Sequence, residues 1–242
     1  MPRTGRASEQ LGAGIGMSGT ASRDAMDAYD CIAQDFKAAR RRAWPSIKEV
    51  GNCAGMTVLD LGAGAGRNAV ALAEADAALV VAADISIGML EGMVSEGRHL
   101  DRIMPVLCDA MALPFREGAF DAAVCIAMIH HIAGRENRRG ALREVRAVMK
   151  EGGIVLVTAW ARLQGRFAKH LPSMLLARGR GGECGDATIP WGNKATRFYH
   201  LYTKGELASD LAEAGFKLER VYGERIRAKF LAENWVAVGR KG

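Results

Sequence analysis

The sequence predicts an α/β fold, a parallel sheet with helices on both faces. Three observations carry this prediction. Apolar strand-like runs alternate with helix-period segments between residues 56 and 160. A glycine-rich turn joins the first run to the first helix, and acidic residues stand at or beside the ends of three runs, as Asp60, Asp84 and Asp109. Two further runs near the end of the chain read as an antiparallel hairpin.

Residues 1–22 are Gly/Ser-rich and are expected to form a flexible tail ahead of one domain spanning 23–242. A helix is expected over 26–50, because Tyr29, Ile32, Ala33 and Phe36 recur at helical spacing. A buried strand at 56–60, the glycine turn at 61–66 and a helix at 67–75 follow, then a strand at 78–83 closed by Asp84. After a further helix come strands at 103–108 and 122–126, a helix at 137–150 and a strand at 154–159. From 161 to 197 the periodicity lapses into a long insertion carrying Arg162, Arg166, Lys169, Arg178, Arg180, Lys194 and Arg197 against only Glu183 and Asp186. Insertions of this length are commonly functional or disordered. Order resumes at 199–202, with a helix at 203–214 stopped by Gly215, and strands at 217–222 and 234–238.

The 242 residues, 49% hydrophobic and 25% charged, exclude wholesale disorder, collagen repeats and a polytopic membrane protein. A chain this long buries roughly 70% of its unfolded surface, so it needs no metal or disulfide staple. The net charge of +6 is compatible with a polyanionic partner without establishing one. The five cysteines are scattered, with no CxxC or Cys/His cluster. They point to no zinc site and to a reducing compartment. The opening residues lack an apolar run of signal-peptide length, and no stretch is long enough to span a bilayer. A soluble cytoplasmic protein is therefore expected.

The glycine turn is the strongest motif. Gly62, Gly64 and Gly66 allow a sharp strand-to-helix turn and close approach of a ligand. Asp84 follows Gly66 by 18 residues, where a carboxylate can grip both hydroxyls of a ribose. A dinucleotide fingerprint starting at Gly62 would place glycine where Arg67 stands, and Asp60 just before the turn suits a cationic ligand and opposes a pyrophosphate. That combination favours S-adenosylmethionine over NAD. Asp109 is a candidate for an adenine amino group, or alternatively a helix N-cap. Ile85, Ala110 and Ile126 complete the candidate cofactor residues.

The segments VLDLGAGAGRN (58–68), AADIS (82–86), CDAMALPFREGAFDAAVCIAMIHHI (108–132) and LREVRAVMKEGG (142–153) together resemble the class I S-adenosylmethionine-dependent methyltransferases. The resemblance covers about 56–160 and implies a Rossmann-like, mostly parallel seven-stranded sheet. A narrower one spans 28 to about 240. Residues 29–36, Arg40, Trp44 with Pro45, 127–131, Trp160, 197–202, 205–207 and 233–236 recur in that order. Together they resemble the tRNA methyltransferases that esterify 5-carboxymethyluridine at the anticodon wobble position.

That resemblance implies methyl transfer to a carboxylate that is already ionised at neutral pH, so no general base is required. It places Arg40 beside the carboxylate, where a planar guanidinium binds in bidentate fashion. His130 aligns with the first histidine of the family's pair and is the second candidate catalytic residue. Arg41, Arg42, His131, Trp160, Arg197, Tyr199 and His200 are candidate RNA contacts; Tyr199, His200 and Tyr202 form either a base-stacking platform or ordinary strand packing. The resemblance further implies the tRNA anticodon arm as partner and a small zinc-binding activator subunit. That subunit would dock on the strand from Ile103 to Cys108, an apolar edge covered otherwise by the chain's own N-terminal helix. No metal in this chain and no membrane partner are expected. A small-molecule methyltransferase and a non-catalytic RNA-binding protein of the same fold remain the alternatives.

Overall fold

The computed structural model describes residues 19–39, 42–177 and 182–242. The strands are β1 (Thr57–Leu61), β2 (Leu79–Asp84), β3 (Ile103–Leu107), β4 (Phe120–Ile126), β5 (Met149–Trp160), β6 (Asp186–Trp191), β7 (Ala195–His200), β8 (Phe216–Glu224) and β9 (Asn234–Lys241). The helices are α1 (Thr20–Ala39), α2 (Arg67–Glu74), α3 (Ile87–Val94), α4 (Arg135–Val148), α5 (Leu171–Leu176) and α6 (Lys204–Glu213). Seven strands form one sheet in the order β3-β2-β1-β4-β5-β9-β8. β1 to β5 run parallel, and β9 turns antiparallel to both β5 and β8. This is the architecture expected for a class I methyltransferase.

Strand alternation explains the two cores. Leu59, Val81, Ala123 and Val157 point to the face covered by α4 and α6. Val58, Val80, Val124 and Leu156 point to the opposite face, against residues of α2 and α3 such as Leu72 and Leu90. Strands buried on both sides need near-continuous apolar runs, and these have them.

Two stretches depart from the sequence expectation. The helix expected over 26–50 ends at Ala39, and a separate 3-10 turn covers Pro45–Val50. Pro45 disfavours helical backbone in the residue before it, and Trp44 is extended at φ −69°, ψ 139°. The segment after it is pinned to the far strands, where Glu224 accepts from the Ser46 N–H at 3.0 Å and Glu49 accepts from the Tyr222 hydroxyl at 2.9 Å.

The 161–197 stretch contains more regular structure than its pattern shows. A 3-10 turn at Gly165–His170 leads into α5, and β6 pairs with β7 as a two-stranded hairpin apart from the main sheet. Its charges are also partly used internally. Arg162 is paired with Glu206 at 2.7 Å and Lys194 with Asp35 at 2.6 Å, so neither stands ready for phosphate. Arg178 and Arg180 lie outside the described residues. Among the described residues no helix is long and apolar enough to cross a membrane.

The principal neighbours of α1 are α3 and β7, not the edge strand β3. Asp30 fixes this docking by accepting from the Ser86 hydroxyl at 2.5 Å and the Gly88 N–H at 3.0 Å. β3 is a sheet edge on which Met104 is 50% exposed.

Candidate active site

The strand order reverses between β1 and β4, and an open α/β sheet binds ligands at the carboxyl ends of its strands beside such a reversal. One open cleft lies there, with about 1280 Å³ of empty space counted out to its mouth.

One wall is the glycine turn. Gly62, Gly64 and Gly66 have φ of +75°, +55° and +80°, values that glycine tolerates at little cost. A Cβ at Gly62 would stand 2.3 Å from the Met128 side chain, and one at Gly66 2.4 Å from that of Met93. Asp84 holds the turn: its two carboxylate oxygens accept from the Gly64 N–H at 2.7 Å and the Ser86 N–H at 2.9 Å. Each oxygen retains a lone pair, which suits two adjacent hydroxyls. Ile85, Ala110 and Ile126 line the same space. Asp109 does too, and its carboxylate accepts from the Met111 N–H at 3.0 Å in a local turn, not at the head of a helix.

Asp60 sits differently from the sequence expectation. It is fully buried beneath the turn and does not line the cleft. Neither carboxylate oxygen has a hydrogen-bond partner among the described residues. Burial, reinforced by nearby Asp84, pushes its pKa up to about 7, while Arg67 and the Ala69 N–H act in the opposite direction. The donor set fits S-adenosylmethionine: hydroxyl acceptors at Asp84, an apolar slot, and the buried acid of Asp60 as a counter-charge for a cation.

The opposite wall is aromatic. Tyr29 of α1, His131, Trp160 and Tyr199 meet there. Trp160 and Tyr199 stack with centroids 4.8 Å apart and planes 13° apart. Arg197 completes it, 5% exposed, with its guanidinium 4.5 Å from the Trp191 ring, 5.1 Å from Tyr199 and 5.9 Å from Tyr29. Among the described residues no carboxylate pairs with it, and its Nε has no hydrogen-bond partner.

Several candidates lie elsewhere than the sequence placed them. His130 is fully buried and does not line the cleft. It accepts from the Trp160 N–H at 3.3 Å through Nδ1 and packs against the Trp160 and Tyr199 rings. His131 is the member of the pair that reaches the cleft, because the 3-10 turn Ile129–His131 sends successive side chains in different directions. His200 points to the far face of β7 and bonds Asp186 at 2.7 Å, as alternation with Arg197 and Tyr199 requires. Tyr202 is likewise buried, with its hydroxyl donating to Asp210 at 3.3 Å. Arg42 is exposed, and its carbonyl accepts from Arg67 at 3.5 Å. Arg40 and Arg41 lie outside the described residues.

Sequence reasoning passed over Tyr29 as a wall of the site and Arg138 as a buried ion-pair centre. Arg138 is 1% exposed and binds Glu183 at 2.8 and 3.2 Å. Glu183, Asp186 and His200 bring potential metal-ligand atoms within 4.8 Å of one another. Arg138 engages the first of these, and the other two engage each other.

Comparisons with known proteins identify the family and the fold. Residues 58–153 match the model of a methyltransferase domain. A methyltransferase of Encephalitozoon cuniculi is 31% identical over 196 residues, 78% of this chain and 85% of that protein. The tRNA (carboxymethyluridine(34)-5-O)-methyltransferase of Arabidopsis thaliana is 33% identical over 138 residues, 56% of this chain but only 32% of that longer protein. Among solved structures, a SAM-dependent methyltransferase of Methanosarcina mazei superposes with a TM-score of 0.69 at 19% identity, covering 83% of this chain and 98% of that one. A Haloferax volcanii complex between the Trm112 methyltransferase activator and a methyltransferase gives 0.66 at 16% identity, covering 89% and 96%.

Proposed function

Because the chain belongs to the class I S-adenosylmethionine-dependent methyltransferases, we propose that it methylates the carboxylate of 5-carboxymethyluridine at the wobble position of a tRNA anticodon. The observation that carries this reading is Arg197, a cation without a carboxylate partner among the described residues, sunk among aromatic rings on the wall facing the glycine turn. Holding a buried cation unpaired is costly, and a bound anion compensates it. A planar base carrying a carboxylate supplies both an aromatic face for Tyr199 and Trp160 and a counter-charge for Arg197.

Asp84, Ile85, Asp109, Ala110, Ile126 and the glycine turn are proposed to hold the cofactor, with Asp60 acting on it through charge from below. Bound S-adenosylmethionine supplies an electrophilic methyl: a carboxylate oxygen bonds it as the sulfur–carbon bond breaks, leaving a thioether and a neutral ester. The residues of the chain align and desolvate. Arg197 fixes the carboxylate, α1 closes the cleft over it, and the aromatic wall excludes water. Arg40, on the sequence resemblance alone, is proposed as a second carboxylate contact, with Arg41 and Arg42 meeting phosphates. The tRNA relatives' names support the substrate, and the free cysteines fit action in the cytoplasm.

An activator subunit is proposed on the open edge of β3, where Met104 and Pro105 are exposed. The test is to incubate the protein, with and without such an activator, with methyl-labelled cofactor and either bulk tRNA or small metabolites. Label entering RNA as an alkali-labile ester supports the reading; label confined to small molecules, or an alkali-stable RNA product, overturns it.

A further inference from the structure

The loop between β8 and β9 is an exposed basic and apolar feature outside the cleft. Phe230 is 88% exposed and Leu231 53%, and between Glu224 and Phe230 stand Arg225, Arg227 and Lys229. The loop is nevertheless built. One oxygen of Glu233 accepts from the backbone N–H groups of Ile226, Arg227 and Ala228 at 2.7, 2.5 and 3.1 Å. Burial would raise the pKa of Glu233, but those three donors and nearby Arg166 hold it below the usual range. The only acid within the loop is thus spent on its own backbone. Arg227 and Lys229 make no ion pair among the described residues.

The loop also adjoins the cleft. Asn234, which ends it, pairs with Trp160 at the carboxyl end of β5. The Glu233 carbonyl accepts from the Ala161 N–H at 2.9 Å and from Gln164 at 3.0 Å. Exposed Arg166 bridges the two, with its guanidinium 4.6 Å from the Trp160 ring whose edge borders the cleft. Arg166 thus stands beside the aromatic wall, and Arg225, Arg227 and Lys229 stand in the adjoining loop with the exposed Phe230.

We propose that this loop, with Arg166, is a docking surface for single-stranded RNA, on which nucleotides flanking the modified base lie. Arg166, Arg227 and Lys229 meet phosphates, and Phe230 stacks under an unpaired base. The proposal rests on the tRNA reading above and adds to it a surface for the nucleotides beside the target. Cations alternating with an exposed ring suit phosphate and base together, and Glu233, the acid near Arg166, is engaged by the loop backbone.

The test is binding of an anticodon stem–loop RNA to the full chain at several salt concentrations, read by fluorescence anisotropy beside methyl transfer. Arg227→Gln with Lys229→Gln removes two cations that hold no part of the loop, and the salt slope should fall by about 1.4, near 0.7 per single-strand phosphate contact. Phe230→Ala should weaken binding at least about fivefold, the lower bound for a stacked base. Cofactor affinity and Tm should not move in either variant. Wild-type binding of the RNA by both variants overturns the proposal, even where the methyl ester forms and the functional reading stands. Weakened binding without any ester keeps the surface and defeats that reading. An RNA that the wild type does not bind also overturns it, and capture of anionic vesicles in that case would assign the face to a membrane.

Discussion

Tyr29 and His131, 102 residues apart, meet at 2.6 Å across the mouth of the cleft. The other ring nitrogen of His131 lies 3.1 Å from the Phe198 carbonyl, which can only accept, so Nδ1 carries the proton and in the neutral ring Nε2 accepts from the Tyr29 hydroxyl. Both nitrogens are then occupied. His131 thereby ties α1 to the wall of the cleft.

Tyr29→Phe removes this latch while keeping the ring. A net hydrogen bond contributes about 0.5–1.5 kcal/mol, so S-adenosylmethionine should dissociate roughly two- to tenfold faster. Stopped-flow release measures this, and an unchanged rate would show that α1 closes the cleft without Tyr29.

Arg197→Met should separate function from stability. Replacing a buried cation that has no carboxylate partner among the described residues by an apolar side chain of similar length is neutral or stabilising, so Tm should hold or rise. Loss of a charge-assisted contact costs about 1.5–3 kcal/mol, so kcat/KM for RNA should fall at least tenfold with cofactor affinity unchanged. A fall in Tm with intact turnover would make Arg197 structural.

Asp60 makes stability depend on pH. Its folded pKa of about 7 lies above the ordinary 3.8, so the folded state favours the protonated acid. The stabilisation is complete below about pH 4 and is lost as pH rises through about 7. Asp60→Asn should therefore match the wild type at low pH and exceed its stability above neutrality, by chemical denaturation without cofactor. Parallel curves across that range would place the titration elsewhere.

Met104→Lys tests the proposed activator edge. The side chain is half exposed on β3, so Tm should move little. Co-purification with an activator subunit should drop sharply, because a lysine on an open edge opposes strand addition. Undiminished co-purification would move the docking site off β3.

Local signals were readable in the sequence and directional ones were not. Gly62, Gly64, Gly66 and Asp84 could be read because a strand–turn–helix fixes them within about 25 residues of chain. Pro45 marks a break in the helix expected over 26–50, a local signal that the apolar period of 29–36 masks. Which of His130 and His131 enters the cleft depends on one 3-10 turn, and Tyr199 against His200 on the register of a hairpin hidden in the basic stretch. Asp60 reads as a ligand contact from its place beside the turn, yet strand alternation turns it under the sheet. The setting of Arg197 arises only when Tyr29, Trp191 and Tyr199 arrive from three elements distant in sequence.

The central claim is tested most directly by mass spectrometry of the wobble nucleoside, in tRNA carrying 5-carboxymethyluridine treated with the protein, S-adenosylmethionine and an activator. The expected product is a nucleoside heavier by one methyl-for-hydrogen exchange, returned to carboxymethyluridine by mild alkali, and strongly reduced with Arg197→Met. An unchanged wobble nucleoside, or a methyl group that survives alkali on the base or ribose, would contradict it.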